Sequence, residues 1–446
     1  MSLALSTDLY ELTMMAGYYT AGMDAPATFE LYVRELPDNR SFLVAAGLDQ
    51  ALAYLEQLRF TADDIAHLRD LPALRGVRRD FFDEYLPRFR FRGEVWAVGE
   101  GVPVFPPAPL LRVTAPLPEA QLLETALLAT VAFQTSVASR AARMVAAAEG
   151  RGVVEFGARR AHGIEAGVLA ARAAFIAGCE STSNVDAGRR FGIPVSGTMA
   201  HAWVTAFPTE LAAFRQYADV FGDRTVILLD TYDTLAAARA VAASGIVPAA
   251  VRLDSGDLVA LSREVRTILD AAGLRATRIF VSGDLDERRI AALVEAGAPI
   301  DGFGVGAALS TASDAPSLGA VYKLVEVERG GVAVPVLKRS PEKRTAPGRK
   351  QVWRFVEEND TAAEDVIELA DAARPQGRAR RPPDALLARV MHEGRRAHPP
   401  VPMAELRARH RAEIGRLPLE VRRLTGAARY PVRIGQALQR AIDTLG

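Results

Sequence analysis

Between residues of about 150 and 310 the chain repeats one pattern. A short apolar run ends in glycine or polar residues, and an alanine-rich stretch of helical periodicity follows. The runs are Gly152–Phe156, Ala173–Gly178, Ile193–Ser196, Thr225–Leu229, Ala249–Leu253, Arg278–Val281 and Pro299–Gly304. Strands that are apolar on both faces and alternate with helices predict a parallel sheet. Seven units without a dinucleotide-type glycine fingerprint favour an irregular (β/α) barrel over an open doubly wound sheet. In such barrels ligands collect just past the strand ends, and here nearly every such position is polar, charged or glycine.

The flanks read differently. Leu5–Tyr19 has helical spacing, Ala27–Val33 alternates as a strand, and Ser41–Leu58 holds a second helix. Arg90–Val98 and Gly101–Val113 read as antiparallel strands, and Pro116 to Ala148 is almost continuously helical. After the barrel, Val321–Val327 and Val332–Leu337 form a strand pair about Arg329-Gly330-Gly331 that can rejoin the N-terminal sheet. The expectation is an α/β protein with a barrel over 113–320. A smaller split α+β domain is built from 1–112 and 321–446. Residues 372–400, rich in Arg and Pro, read as a linker. Met403–Arg416 and Leu417–Leu424 read as amphipathic surface helices.

Composition narrows the function. With 446 residues, 49% of them hydrophobic and 24% charged, the chain has material for a large core. Its formal net charge is zero, which argues against a nucleic-acid or anionic-membrane partner. A single cysteine, Cys179, fits a reducing compartment. Asp8 and Glu11 stand where a signal peptide would be basic and then apolar, and no apolar stretch is long enough to cross a bilayer. A cytoplasmic protein is expected. The four lysines, Lys323, Lys338, Lys343 and Lys350, fall close together against fifty arginines spread over the chain. They read either as a local charge requirement or as a solvated loop.

Several strand ends carry chemistry. Gly302-Phe303-Gly304-Val305-Gly306 closes the last run and opens a helix, which suits a phosphate and equally suits a tight turn. His201 follows Ser196-Gly197-Thr198-Met199-Ala200, where an imidazole can act as acid, base or phosphoryl acceptor. Most lone histidines are structural; this one owes its interest to its place after a strand. Arg159 and Arg160 follow Glu155-Phe156-Gly157, and Arg252 precedes Asp254 and Asp257. A guanidinium fork binds a carboxylate or phosphate in two-point fashion, and local pairing with Glu155 or Asp254 is the plainer alternative. Asp254, Asp257 and Asp284 can hold ribose hydroxyls or Mg²⁺-bound water.

Taken in order, eight stretches resemble the nicotinate phosphoribosyltransferase family of type II phosphoribosyltransferases. They are Thr7–Met14, Glu155–Ala161, Gly197–His201, Leu229–Leu235, Arg252–Leu258, Ser282–Asp286, Gly302–Gly306 and Tyr322–Glu326. The resemblance implies transfer of phosphoribose from phosphoribosyl pyrophosphate (PRPP) to nicotinate. Pyrophosphate leaves, and ATP is the co-substrate, coupled through a phosphohistidine that carries over to His201. It implies nicotinate contacts at Tyr10, Arg159, Thr198 and Arg252, with Phe156 and Tyr10 offering aromatic faces. Phosphoribosyl and phosphate contacts are expected at Asp254, Ser282, Gly283, Asp284, Gly304, Gly306, Lys323, Lys338, Lys343 and Thr345. Lys338, Lys343 and Arg344 are expected on a loop that closes over the phosphates with Thr345. Mg²⁺ is expected to arrive with PRPP and ATP, with no metal ligands assigned. A homodimer with shared sites is implied. Ala202 and Ala307 stand where the family often has Ser and Thr. Transfer to nicotinamide or quinolinate, a non-catalytic nucleotide sensor, and an unrelated phosphate-binding barrel enzyme are the rival readings.

Overall fold

The structure is a computed structural model describing residues 2–340, 345–376 and 381–445. It divides into two compact units, one of residues up to Ser136 and from Ser317 onward, the other Val137–Pro316. The division falls inside the helix Glu124–Ala147 rather than at residue 112, and the split unit is the larger of the two.

The first unit is organised on a seven-stranded antiparallel sheet. Its order is Val332–Pro335, Ala320–Arg329, Pro26–Val33, Pro109–Pro116, Glu94–Val98, Leu387–His392 and Arg395–Arg396. The post-barrel pair therefore rejoins the N-terminal strands, as its alternation predicts. The last two strands come from the stretch expected to be a linker. Their burial pattern is mixed, as befits an edge, and carries little period-2 signal. A second sheet joins Asp384–Ala385, Lys350–Val356, Ala362–Leu369 and Val432–Ile434, which the hydrophobic pattern did not announce. Its central strands carry buried charge, with Arg354 making two hydrogen bonds to Asp365 at 2.9 and 2.8 Å, so the alternation is masked. Met403–Gly415 is a helix, whereas the stretch expected as a helix over Leu417–Leu424 is a run of turns, with Pro418 in its first positions.

Two of the described lysines are held by carboxylates of the protein. Lys350 is buried, with its ammonium 2.9 Å from the Glu30 carboxylate. Glu30 faces Arg112 across the sheet, and Arg112 donates to the Lys350 carbonyl at 2.8 Å. Burial pushes the Lys350 ammonium below its usual range, and Glu30 opposes that shift. Lys323 lies 3.3 Å from the Glu124 carboxylate. Lys343 lies outside the described residues.

The second unit holds a curled parallel sheet ordered Ser181–Thr182, Gly152–Glu155, Gly302–Val305, Arg278–Val281, Ala250–Leu253 and Val226–Leu228. Helices such as Ile164–Ile176, Thr234–Ala243 and Leu258–Ala271 alternate with the strands. Asp233, Asp257 and Asp286 each accept two backbone N–H bonds at the start of the helix that follows them. Asp257 therefore caps a helix through one of its carboxylate oxygens. The run Ala173–Gly178, expected as a strand, is the end of the helix Ile164–Ile176 and the turn after it. The strand is the shorter Ser181–Thr182. Small alanines let that helix bury its whole circumference, and a fully buried helix end and a buried strand share one apolar signature. Among the described residues no helix is long and apolar enough to cross a membrane.

The buried ion pair of the first unit gives a direct test. Lys350→Met should cost about 3–5 kcal/mol by stranding Glu30, and Glu30→Gln with Lys350→Met should regain much of that loss. Thermal melting of the two variants beside the parent measures both.

Candidate active site

The strand order leaves two edges in the second unit, Thr182 and Val226. The stretch 193–198 joins them. Thr182 pairs with Val195 in a parallel bridge, and Ser196 N–H donates to the Thr182 carbonyl at 3.0 Å. On the other side the Thr198 hydroxyl donates to the Val226 carbonyl at 2.9 Å. The curled sheet is thus linked edge to edge, and the link runs directly into His201.

Inside lies a cavity of about 910 Å³. It is lined by the strand starts at Gly152, Val226, Ala250 and Arg278, by Thr198 beside Val226, and by Phe156 just past the end of the strand Gly152–Glu155. Phe156 and Phe280 face one another with ring centroids 5.9 Å apart and planes tilted by 54°. Gly304 sits beneath both rings: a Cβ there would lie 2.6 Å from Phe156 and 3.0 Å from Phe280. At Gly304, then, the absent side chain serves the aromatic packing first. Ser181 also lines the cavity, its hydroxyl 2.6 Å from that of Ser196.

At the carboxyl end of the strands two guanidinium groups stand close together. Arg252 extends from the strand Ala250–Leu253 with its side chain 13% exposed. Its Nη2 is 4.0 Å from Asp254 Oδ1, and its Nε is buried without a hydrogen-bond partner. Burial pushes this guanidinium below its ordinary range; Asp254 and Asp230 oppose the shift, and the charge of Arg159 adds to it. Arg159 itself is exposed on the tight turn Ala158–Arg160. A desolvated cation with a donor to spare, beside a second cation, is a receptor for an anion.

The neighbouring loop is held by acids and hydroxyls. The Asp230 carboxylate accepts from the Asp254 N–H at 3.0 Å and the Ser255 hydroxyl at 2.6 Å. Ser282 donates its hydroxyl to Asp254, so Ser282 orients a carboxylate and is not simply free for a phosphate. Gly283 has φ +94°, and any Cβ on it would collide with the Asp254 carbonyl, which makes glycine obligatory there. Asp284 follows, exposed and also left-handed at φ +47°. Gly306 precedes the one-turn helix that begins at Ala307.

His201 is the first residue of the helix His201–Thr205 and is half-buried, not sealed in an apolar interior. Its Nδ1 lies 3.1 Å from the Thr231 hydroxyl. Thr231 thus places a hydroxyl next to the ring, and Nε2 is the other ring nitrogen.

Phe156, Arg159, Thr198, His201, Arg252, Asp254, Ser282, Gly283, Asp284, Gly304 and Gly306 all belong to this unit. Tyr10, Lys323, Lys338 and Thr345 belong to the first. Tyr10 is 47% exposed on the helix Leu9–Thr20, its phenol pushed up to about 12 by burial and by the charges of Glu124, Glu11 and Asp8. The Lys338 N–H donates to the buried Thr345 hydroxyl at 2.9 Å, so that hydroxyl braces its own loop. Asp230 and Thr231 lie in the Leu229–Leu235 stretch without a role read from sequence, and Phe280 lies in the run Arg278–Val281, likewise without one. The alternation in Arg278-Ile279-Phe280-Val281 could have shown Phe280 turned inward.

A family model described as the nicotinate phosphoribosyltransferase N-terminal domain matches residues 5–132. One described as the quinolinate phosphoribosyl transferase C-terminal domain matches residues 137–315. A nicotinate phosphoribosyltransferase of Mycobacterium tuberculosis is 44% identical over 444 residues, covering 98% of this chain and 92% of that protein. The Homo sapiens nicotinate phosphoribosyltransferase is 34% identical over 522 residues, covering 99% and 96%. The crystal structure of human nicotinic acid phosphoribosyltransferase superposes with a TM-score of 0.86 at 31% identity, covering 99% of this chain and 100% of that one.

The edge link is open to test. Thr198→Val should cost about 0.5–1.5 kcal/mol, and Thr198→Ser should cost less. Amide exchange at Val226–Leu228 should quicken in the first variant and stay near the parent in the second.

Proposed function

From the premise that the chain belongs to the nicotinate phosphoribosyltransferase family, an enzyme family of NAD biosynthesis, we propose how the strand-end residues divide the work. Nicotinate is a flat anion. Its carboxylate is taken by Arg252 and Arg159, and its ring lies along Phe156. The observation that carries this reading is the buried Arg252 Nε without a partner beside a second guanidinium. The pyridine nitrogen then forms a bond to the anomeric carbon of PRPP as the bond to pyrophosphate breaks. Positive charge builds on the ribose in that passage. The protein contributes by holding both reactants in line and by stabilising the departing charge. Asp254 and Asp284 take ribose hydroxyls, and the backbone N–H groups about Gly283 and Gly304–Gly306 take phosphate oxygens. The sequence also offers Lys323, Lys338 and Thr345 as phosphate contacts.

ATP is a co-substrate in this proposal. His201 Nε2 attacks the terminal phosphorus, ADP departs, and the phosphohistidine is hydrolysed later in the cycle. Support comes from the half-buried ring, its Thr231 partner and its place at the start of a helix. Among the described residues no group of three or more His, Cys, Asp or Glu side chains is arranged to hold a metal ion. Mg²⁺ enters bound to PRPP and ATP. We assign the reaction to the cytoplasm and the active assembly to a homodimer, because the helix Leu9–Thr20 leaves Leu9, Tyr10 and Met14 exposed on its surface.

Quinolinate is the second reading, because the model matched over 137–315 is named for that substrate. Pyrophosphate release from PRPP with nicotinate, nicotinamide or quinolinate separates the choices. Turnover with nicotinate, raised by ATP, is expected; preference for either other pyridine, or binding without release, overturns the assignment. Arg252→Lys should raise the nicotinate KM by about tenfold or more, since a point charge replaces a two-pronged donor. His201→Asn should abolish ATP stimulation and acid-labile protein phosphate while leaving slow ATP-independent transfer. A labelled His201→Asn protein would remove this histidine from the role.

A further inference from the structure

Glu155 ends the strand Gly152–Glu155 with no exposed surface. Among the described residues no ion pair reaches its carboxylate. Its two oxygens are used separately. One accepts the Gly157 N–H, and the other accepts the Thr182 hydroxyl at 2.6 Å. Burying a carboxylate without a cation is costly, and burial does push this group up from its ordinary range while the two hydrogen bonds oppose it. A hydrophobic side chain would fill the volume at lower cost, so the acid is explained by what it holds.

It holds two limbs of the site. The Gly157 limb is the turn carrying Phe156, Arg159 and Arg160. That turn is pinned from the other side as well, because a Cβ on Gly157 would lie 2.5 Å from Ser310 and 2.8 Å from the Gly306 carbonyl. Arg160 N–H closes it onto the Gly157 carbonyl at 2.8 Å. The Thr182 limb leads the other way. Thr182 N–H donates to the Pro194 carbonyl, and the Thr182 carbonyl accepts from Ser196, both at 3.0 Å. Its hydroxyl also accepts from Asn184 N–H at 2.9 Å. Residues 194–196 lead straight into Thr198 and His201. One carboxylate therefore spans the turn that carries Arg159 and the segment that carries Thr198.

We propose that Glu155 is a positioning residue for pyridine-carboxylate recognition, setting the Phe156–Arg159 turn against the Thr198–His201 segment through Gly157 and Thr182. It touches no reacting atom and acts through Arg159. The inference rests on the nicotinate reading above, and its test separates the two. If the parent protein releases no pyrophosphate with nicotinate, the reading fails before any variant is compared. Given parent activity, Glu155→Ala should raise the nicotinate KM by about tenfold or more, since displacement of a positioned group by an ångström has effects of that order. The PRPP KM should change by less than about threefold, because Glu155 acts on the pyridine side. In an Arg159→Ala background the same substitution should add less than about twofold, because coupled residues are non-additive. Glu155→Gln keeps an acceptor for Gly157 and a group able to bond Thr182, and should restore nicotinate KM to near the parent. Should Glu155→Ala fail to fold, Thr182→Val removes one arm of the bridge and should reproduce the rise in part. Faster amide exchange at Gly157 in either variant should accompany it. Equal losses in both Arg159 backgrounds, or equal rises in the nicotinate and PRPP KM, would reduce Glu155 to a structural acid and overturn the proposal.

Discussion

A parallel sheet curled into a partial barrel must satisfy the hydrogen-bonding groups at its two free edges, and in this protein very few bonds do so. Thr182 and Val226 are the edges, and residues 195–198 reach both, by a backbone bridge on one side and a single hydroxyl on the other. An edge left open would expose unpaired backbone groups. The same segment leads on to His201, which stands beside Thr231 past the end of the strand Val226–Leu228. Structure and chemistry share the same short segment, which explains why its residues are small and polar when the neighbouring strands are apolar.

The interior follows from what is absent. Barrels of this kind ordinarily fill their axis with layers of branched side chains. Here Gly302 and Gly304 face Phe280 and Phe156, so two aromatic rings occupy room that side chains on the adjacent strand would need. The result is a cavity bounded by flat rings at one level and by hydroxyls of Ser181, Ser196 and Thr198 at another. Desolvation works on the charges at the carboxyl end of the strands, which lie outside that cavity's lining. Arg252 loses water yet retains a donor with no partner, and the acids nearby are engaged in bracing their own loops. A buried cationic donor is thus left without an internal partner, in a chain whose net charge is zero.

Buried charge elsewhere has the opposite meaning. Lys350 and Glu30, and Arg354 with Asp365, tie strands of the first unit together and lie out of reach of solvent. Their partners are supplied by the protein itself, so they offer nothing to a ligand. The same residue types read alike in a sequence, and only the presence or lack of an internal partner separates a structural pair from a receptor.

The sequence by itself determined the alternation of strands and helices between residues 150 and 310, the split of the other unit around it, and the motifs at the strand ends. These are local signals: apolar runs of strand length, aspartate caps, and glycines at turns that need a left-handed backbone. Tertiary structure decided the rest. It placed Ala173–Gly178 in a helix because burial on every side erases periodicity. It drew strands from residues expected to be a linker, because an edge strand needs only a neighbour to pair with. It paired Lys350 with Glu30 and Lys323 with Glu124, gave His201 its Thr231 partner and set Glu155 between two loops. Each of those outcomes joins residues far apart in the chain, and hydrogen bonds across such separations leave no periodic trace to read.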